Sequence, residues 1–214
     1  MPYLNSPVVP AGTLAGTAQP TLPTGDGLLL RPWRAEDVPA VYAAFQDPLM
    51  HQWHIRAADS EEEVAGWITQ WQNGWKDERE AQWAVVDADT GELQGRVALR
   101  EILLGDGCAE VAYWTVARAR GRGVAVRATT TLSRWAFDEI GLHRLELSHA
   151  TANEASCRVA EKAGFAAEGT KRSALLHSDG WHDMHLHARV RGDWGVTQRV
   201  SAAGSAIRWR SPCW

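Results

Sequence analysis

The apolar positions of this chain repeat with two periods, and the changes between the periods lay out its elements. Leu28, Leu29 and Leu30, between Gly27 and Arg31, read as a short strand stopped at Pro32, where proline supplies no N–H donor. Val38, Val41, Tyr42 and Phe45 then recur at helical spacing and predict a helix over 35–46, closed by Asp47-Pro48. His51 to Asp59 reads as a loop. Ser60, three residues before Glu63, has the form of a capping box, and Val64, Trp67, Ile68 and Trp71 mark the buried stripe of a second helix. Strand-like runs at 82–87 and 93–102 flank Asp89-Thr90-Gly91 and predict a hairpin, and the turn Gly105-Asp106-Gly107 leads into a central strand at 109–116. A helix over about 124–140 follows, with Ala128, Leu132, Trp135 and Ile140 on one side and Gly141 as its stop. Leu145 and Leu147 alternate with polar neighbours in a further strand, Asn153 caps a short helix to about Ala163, and strands near 165–171 and 184–190 complete the pattern. This order predicts a mixed α/β layer fold, and no internal repeat is visible.

Composition narrows the setting. The 214 residues fit one domain over 26–191, with a disordered Pro/Thr/Ala/Gly-rich leader at 1–25 and a tail at 192–214. The leader lacks the basic start and apolar stretch of a secretion signal, and no apolar run approaches the roughly 20 residues needed to cross a bilayer. Cys108, Cys157 and Cys213 are odd in number and widely spaced, which argues against a disulfide framework and for a reducing, cytoplasmic setting. A net charge of −4 gives no general case for nucleic acid.

Against that acidic background stands a basic loop. Arg118, Arg120, Arg122, Arg127 and Arg134 surround Gly121 and Gly123, with no acid between Ala117 and Ala136. Glycines let the backbone bend so that several N–H groups point one way, and the helix that follows adds its free first-turn N–H groups and positive dipole end. Such a loop suits a diphosphate. A solvated arginine-rich turn is the alternative for the motif taken alone.

Arg120-x-x-Gly123-x-Ala125 resembles the acyl-CoA pyrophosphate loop of the GNAT acetyltransferases, and the element order is that family's. The block Asn153-Glu154-Ala155-Ser156, with Glu161-Lys162-Ala163-Gly164-Phe165 and Glu168-Gly169, is similar to the RimJ/RimL-type branch, which acetylates ribosomal-protein N-termini. The resemblance implies a mostly antiparallel twisted sheet, splayed at the cofactor site, with helices on both faces. It implies acetyl-CoA as donor, with the N–H groups of Arg120, Gly121, Arg122, Gly123, Val124 and Ala125 on the pyrophosphate. Val116 would pair with the pantetheine arm and offer its N–H to the thioester carbonyl, and Asn153 would contact the pantetheine amide, cap its helix, or both. The acceptor is a primary amine on a peptide N-terminus or a small molecule such as an antibiotic, attacking the thioester directly. A non-catalytic acyl-CoA sensor is the rival of another class. Exposed strand edges in this family commonly pair, so a homodimer is expected.

For proton transfer, Ser156 is the candidate donor to the leaving thiolate, against a purely capping role. Glu110 is the candidate base because it shares a strand face with Ala112, Trp114 and Val116; a structural carboxylate, or a water chain, is the alternative. Leu175 stands where RimL-type enzymes can carry a glutamate. Trp53, His54 and Trp75 are candidates for the acceptor rim, with ordinary packing as the competing role, and His51 shares the loop with His54. Trp67, Trp71 and Trp135 fit helix stripes and read as core. His182, His185 and His187 lie close in sequence, yet without a cysteine or second ligand cluster at suitable spacing no metal is expected. Cys157 turns about 100° away from Ser156 on its helix, so direct transfer is preferred to a cysteine acyl-enzyme.

Overall fold

The computed structural model describes residues 4–193. One sheet of eight strands runs β1(Leu22–Pro23), β2(Leu28–Pro32), β3(Ala81–Asp87), β4(Leu93–Leu103), β5(Cys108–Thr115), β6(Arg144–Ala150), then β8(Gly180–Val190) and β7(Ala166–His177) at the far edge. Helices α1(Val38–Phe45), α2(Pro48–Trp53) and α3(Glu61–Lys76) follow β2, α4(Val124–Trp135) follows β5, and α5(Glu154–Lys162) follows β6. The mixed α/β class and the mostly antiparallel sheet are as expected.

All neighbours in the sheet are antiparallel except β5 and β6. That parallel pair holds only over Cys108–Glu110 against Arg144–Glu146. Beyond Glu110, β5 continues on β4 as far as Thr115 and β6 continues on β8 as far as Ala150, so the sheet opens into a wedge. Parity decides which groups face the wedge. Val116 donates to Gln94 O at 3.0 Å, and alternation along an antiparallel ladder then turns the N–H groups of Val111, Tyr113 and Thr115 away from β4; that of Val111 completes the parallel pair with β6, and those of Tyr113 and Thr115 face the gap.

Tryptophan builds the core on the α1–α3 side. Trp33 meets Trp71 at 5.0 Å between ring centroids and Trp114 at 6.3 Å, while Phe45 meets Trp67 at 5.1 Å and Trp114 at 5.8 Å. Trp135 and Trp75 both pack on Trp83, at 5.2 and 6.1 Å. The predicted stripe of α3 is buried as read, and Ser60 Oγ accepts the Glu63 N–H at 3.2 Å; Glu63 reaches back to the N–H of Asp59, one residue earlier than a capping box requires.

Three segments differ from the expectation. Residues 4–25 are not a disordered leader but a strap laid on the core, with Val9 and Leu14 buried. The Glu78 carboxylate accepts N–H groups from Gly12, Leu14 and Ala15, while the indoles of Trp75 and Trp83 donate to Thr17 O and Pro20 O at 2.9 and 2.8 Å. Buried indole N–H groups need acceptors, and the strap's carbonyls supply them. The expected loop at 51–59 begins inside α2, because Asp47 accepts the Leu49 N–H at 3.0 Å and Pro48 occupies the first turn. The dipeptide that ends one helix starts the next. Lastly, β7 and β8 extend to a tip at 177–180, with bulges near Ala167 and Lys171 that break the simple alternation. Of the predicted tail, residues 194–214 lie outside the described residues.

Candidate active site

The wedge between β5 and β6 opens into a cavity of about 800 Å³ that runs from the glycine loop to α2 and the β7–β8 tip. At the loop end, Gly121 and Gly123 both have φ of +73°, and a Cβ on either would meet no atom within 4 Å, so the space above the loop is clear. Gly123 is the N-cap of α4 and no side chain caps that helix; the first main-chain bond into it runs from Arg127 N to Gly123 O. The N–H groups of Val124, Ala125 and Val126 are therefore left for a ligand. Gly121, Gly123, Val124 and Ala125 line the cavity.

The surrounding arginines hold the loop. Arg118 donates to Leu93 O at 2.7 Å and pairs with Glu92 at 2.8 Å, Arg127 reaches Asp26 O at 3.0 Å, and Arg120 is ion-paired to Asp47, the N-cap of α2. Burial alone would raise the Asp47 carboxyl, but the Leu49 N–H and Arg120 outweigh it and hold the group below its ordinary range. Two expected cofactor contacts are corrected here. The N–H of Val116 is bonded to Gln94 O, not free for a thioester, and the N–H of Arg120 closes the preceding turn on Ala117 O at 3.3 Å. Neither Val116 nor Arg122 lines the cavity.

In the middle of the wedge, β5 presents its two faces to two helical layers. Glu110 and Trp114 face the α1–α3 side, whereas Tyr113 faces α5 and its O–H donates to Ser156 O at 3.3 Å. Asn153 Oδ1 accepts the Ser156 N–H at 3.1 Å, so the capping role expected for Asn153 is present; both residues also line the cavity. Burial raises Glu110 above the ordinary carboxyl value, with Arg100 opposing it, and burial lifts the Tyr113 phenol to about 12. The raised carboxyl of Glu110 is a stronger proton acceptor than an ordinary one. Tyr113 went unnoticed in the sequence, although the alternation that singled out Glu110 puts Tyr113 on the opposite face.

The far end is walled by side chains. Trp53 and His54 line it as expected, and His54 packs edge-on to Phe45 at 5.0 Å. Burial, then the charges of Arg96, Arg56 and Arg100, push the His54 ring down to about 4, so it is neutral at ordinary pH. Trp75 is not part of this rim: it lies one turn beyond Trp71 on the buried stripe of α3, packs on Trp83 and Trp135, and is 5% exposed. His51 is spent on Phe45 O at 2.6 Å. The tip of β7–β8 supplies the wall instead. His177 stacks on His182 at 4.5 Å, both rings sit edge-on to Trp53 at 6.4 Å, and His177 Nδ1 donates to Gln52 O at 3.1 Å, 125 residues away in sequence. Deeper, buried Arg96 donates to Gln82 Oε1 at 2.6 Å and lies over the Trp71 ring at 5.3 Å; burial, then repulsion from Arg100, lowers it to about 10. Trp114 Nε1, His54 Nδ1 and His177 Nε2 are buried without a hydrogen-bond partner among the described residues, and all three residues line the cavity.

The histidines expected to be unrelated to metal do not stay apart. His182 belongs to the wall just described, but His185 and His187 are joined by His149 of β6 and Cys157 of α5. No helix among the described residues is long and apolar enough to cross a membrane.

Comparison with known proteins agrees with this geometry. The sequence model of the Acetyltransferase (GNAT) domain matches residues 27–166, well over half of the chain. YdaF of Bacillus subtilis (strain 168), a protein named for a ribosomal N-acetyltransferase activity, is 31% identical over 104 residues; the match covers 49% of this chain and 57% of that relative. YoaA of the same organism, named as an N-acetyltransferase, is 26% identical over 78% of this chain and 94% of its own length. The solved structure of RimL, a ribosomal L7/L12 alpha-N-protein acetyltransferase in complex with coenzyme A, superposes with a TM-score of 0.73 at 20% identity, covering 80% of this chain and 98% of that one. At that identity the superposition shows the shared fold.

Proposed function

Because this chain belongs to the GNAT acetyltransferase family, we propose that it moves an acetyl group from acetyl-CoA to the primary amine of a protein or peptide N-terminus by direct attack. One observation carries the reading. A single cavity joins the clear, N–H-lined glycine loop, the wedge between β5 and β6, and the raised carboxyl of Glu110. When bound, acetyl-CoA supplies an activated thioester.

The chain's own groups have separable tasks. The N–H groups of Gly121, Gly123, Val124, Ala125 and Val126 hold the diphosphate, and those of β5 that face the wedge, Tyr113 and Thr115, orient the arm and its carbonyl. Glu110 takes a proton from the incoming ammonium so that a neutral amine attacks. Ser156 gives a proton to the departing sulfur, with the Tyr113 hydroxyl held beside it. Holding both reactants in one walled cleft supplies much of the remaining acceleration.

The mouth favours a polypeptide acceptor. Leu49 and Ile55 at the cavity and Leu176 and Trp181 at the hairpin tip are all at least half exposed, a broken apolar rim over which a peptide would run after its amine enters. YdaF and RimL carry names of ribosomal-protein enzymes, in keeping with that choice and with a cytoplasmic setting. A compact anionic amine is the second reading, favoured by buried Arg96 and the partnerless polar atoms around it. The exposed edge strand β7 is where a second copy of the chain would add.

Full-length protein assayed for thiol release from acetyl-CoA, against short peptides with free N-termini and a panel of small amines, separates these. Turnover with peptides and loss of that turnover on N-terminal blocking is the expected result. Turnover confined to small amines would reject the peptide acceptor, and no turnover with any amine would reject the enzyme.

A further inference from the structure

We propose that His149, Cys157, His185 and His187 form a closed four-coordinate site for a borderline-soft divalent cation, with zinc as its natural occupant. The four come from β6, α5 and β8, and their ligand atoms all lie within 4.8 Å of one another. In a tetrahedron with metal–ligand bonds of about 2.0–2.3 Å, neighbouring ligand atoms are about 3.3–3.7 Å apart. Nε2 of His149 and Nε2 of His187 already stand 3.2 Å apart. The rest of the set closes with shifts of roughly 1 Å, within the reach of side-chain rotation at the half-buried His185 and the first turns of α5.

The hydrogen bonding around the cluster has the form of a ligand shell. His149 Nδ1 lies 2.9 Å from Ala150 O, and since a carbonyl only accepts, the ring hydrogen is on Nδ1 and Nε2 carries the lone pair. That lone pair points at His187 Nε2, whose ring is 2% exposed and whose Nδ1 is buried without a completed hydrogen bond. Without a metal, the two rings share one proton between their Nε2 atoms. With a metal on both Nε2 atoms, that proton moves to His187 Nδ1, the ring nitrogen left free for it. Cys157 is buried, 3.9 Å from Glu161 Oε1; on coordination its proton leaves for solvent, and the carboxylate lies near the remaining positive charge. Imidazole and thiolate together select zinc or cobalt over the hard cations magnesium and calcium.

With every position filled by protein, the site has no opening for substrate and acts as a staple. It ties α5 to β6 and β8. The sequence spacing, seven residues between His149 and Cys157 and one between His185 and His187, matches no common zinc pattern, so only the topology reveals it.

The test uses the full-length chain without a histidine tag, stripped with a chelator and titrated with cobalt(II) under reducing, oxygen-free conditions. Saturation at one equivalent is expected, with the near-ultraviolet absorption of a thiolate–cobalt bond and visible bands of tetrahedral cobalt, both erased by added zinc. Cys157→Ser loses the thiolate absorption, His185→Ala weakens binding by about 100-fold, and His182→Ala, outside the cluster, binds like wild type. Zinc also shields Cys157, but not Cys108, from alkylation, as read by peptide mass mapping. Folded wild-type chain with no saturable cobalt uptake, or uptake unchanged in both Cys157→Ser and His185→Ala, overturns the proposal.

Discussion

At one end of the cavity Gly121, Gly123 and the first turn of α4 offer main-chain N–H groups and almost no side chain; at the other, Trp53, His54, His177 and Arg96 offer side chains and almost no main chain. The first arrangement suits a shape that never changes, such as the diphosphate proposed for it, and it rests on two left-handed glycines and a helix end close together in sequence. The second can be altered one residue at a time without disturbing the sheet. Relatives that share the loop can therefore differ in acceptor, which is why family membership settles the donor end more firmly than the acceptor end.

Substitutions at the two ends test that division. Glu110→Gln removes the proposed proton acceptor and should lower kcat by about 100-fold or more while leaving the KM for acetyl-CoA nearly unchanged. Because burial raises Glu110, the wild-type rate should fall as pH drops through a value above 4.5, the ordinary carboxyl value, and this acid limb should vanish in the variant. A pH profile that keeps the limb would remove Glu110 from its role. Gly123→Val forces a β-branched residue to a φ of +73°, a strain of about 1–3 kcal/mol, and should weaken coenzyme A by about 10- to 100-fold with little change in acceptor KM at saturating donor. His177→Ala does the reverse on a smaller scale: it removes the ring between Gln52 and Trp53 and should raise the acceptor KM about fivefold, the worth of one hydrogen bond, with donor KM untouched.

The smallest effect is at the link between the two ends. Arg120→Met breaks the pair with Asp47 and should cost about 1 kcal/mol near neutral pH. The folded-state value of Asp47 lies below 3.8, so the pair's stabilisation is present above that pH and is lost as pH falls through the lower folded value. The variant should accordingly lose less stability on acidification than the wild type, by circular-dichroism melts from pH 6 to 2.5. Equal acid sensitivity in both would show that the Leu49 N–H alone sets Asp47.

The same division explains what could be read from the chain alone. Gly121-x-Gly123 and the apolar period after Val124 carry their meaning locally, so the loop, its helix and the succession of elements along the chain were legible. Roles set by parity were less so. Val116 and Thr115 are adjacent, yet the ladder on Gln94 consumes the N–H of one and turns the other into the wedge. Contacts made by topology were invisible: Gln52 with His177, the strap of residues 4–25 with Glu78, and His149 and Cys157 with the β8 histidines join segments whose spacing carries no periodic signal. Trp75 misled because a helix end near the expected rim has the same composition whether its tryptophan faces the cleft or the core.

The central claim, that main-chain amides around Gly121 and Gly123 hold the two linked phosphates of the donor, is tested most directly by calorimetry with coenzyme A and with pantetheine, which lacks them. The wild type should bind coenzyme A about 100-fold more tightly, the worth of one or two hydrogen bonds to a charged group, and Gly123→Val should lose most of that difference. Equal affinity of the folded wild type for both compounds, or no uptake of coenzyme A, would contradict it.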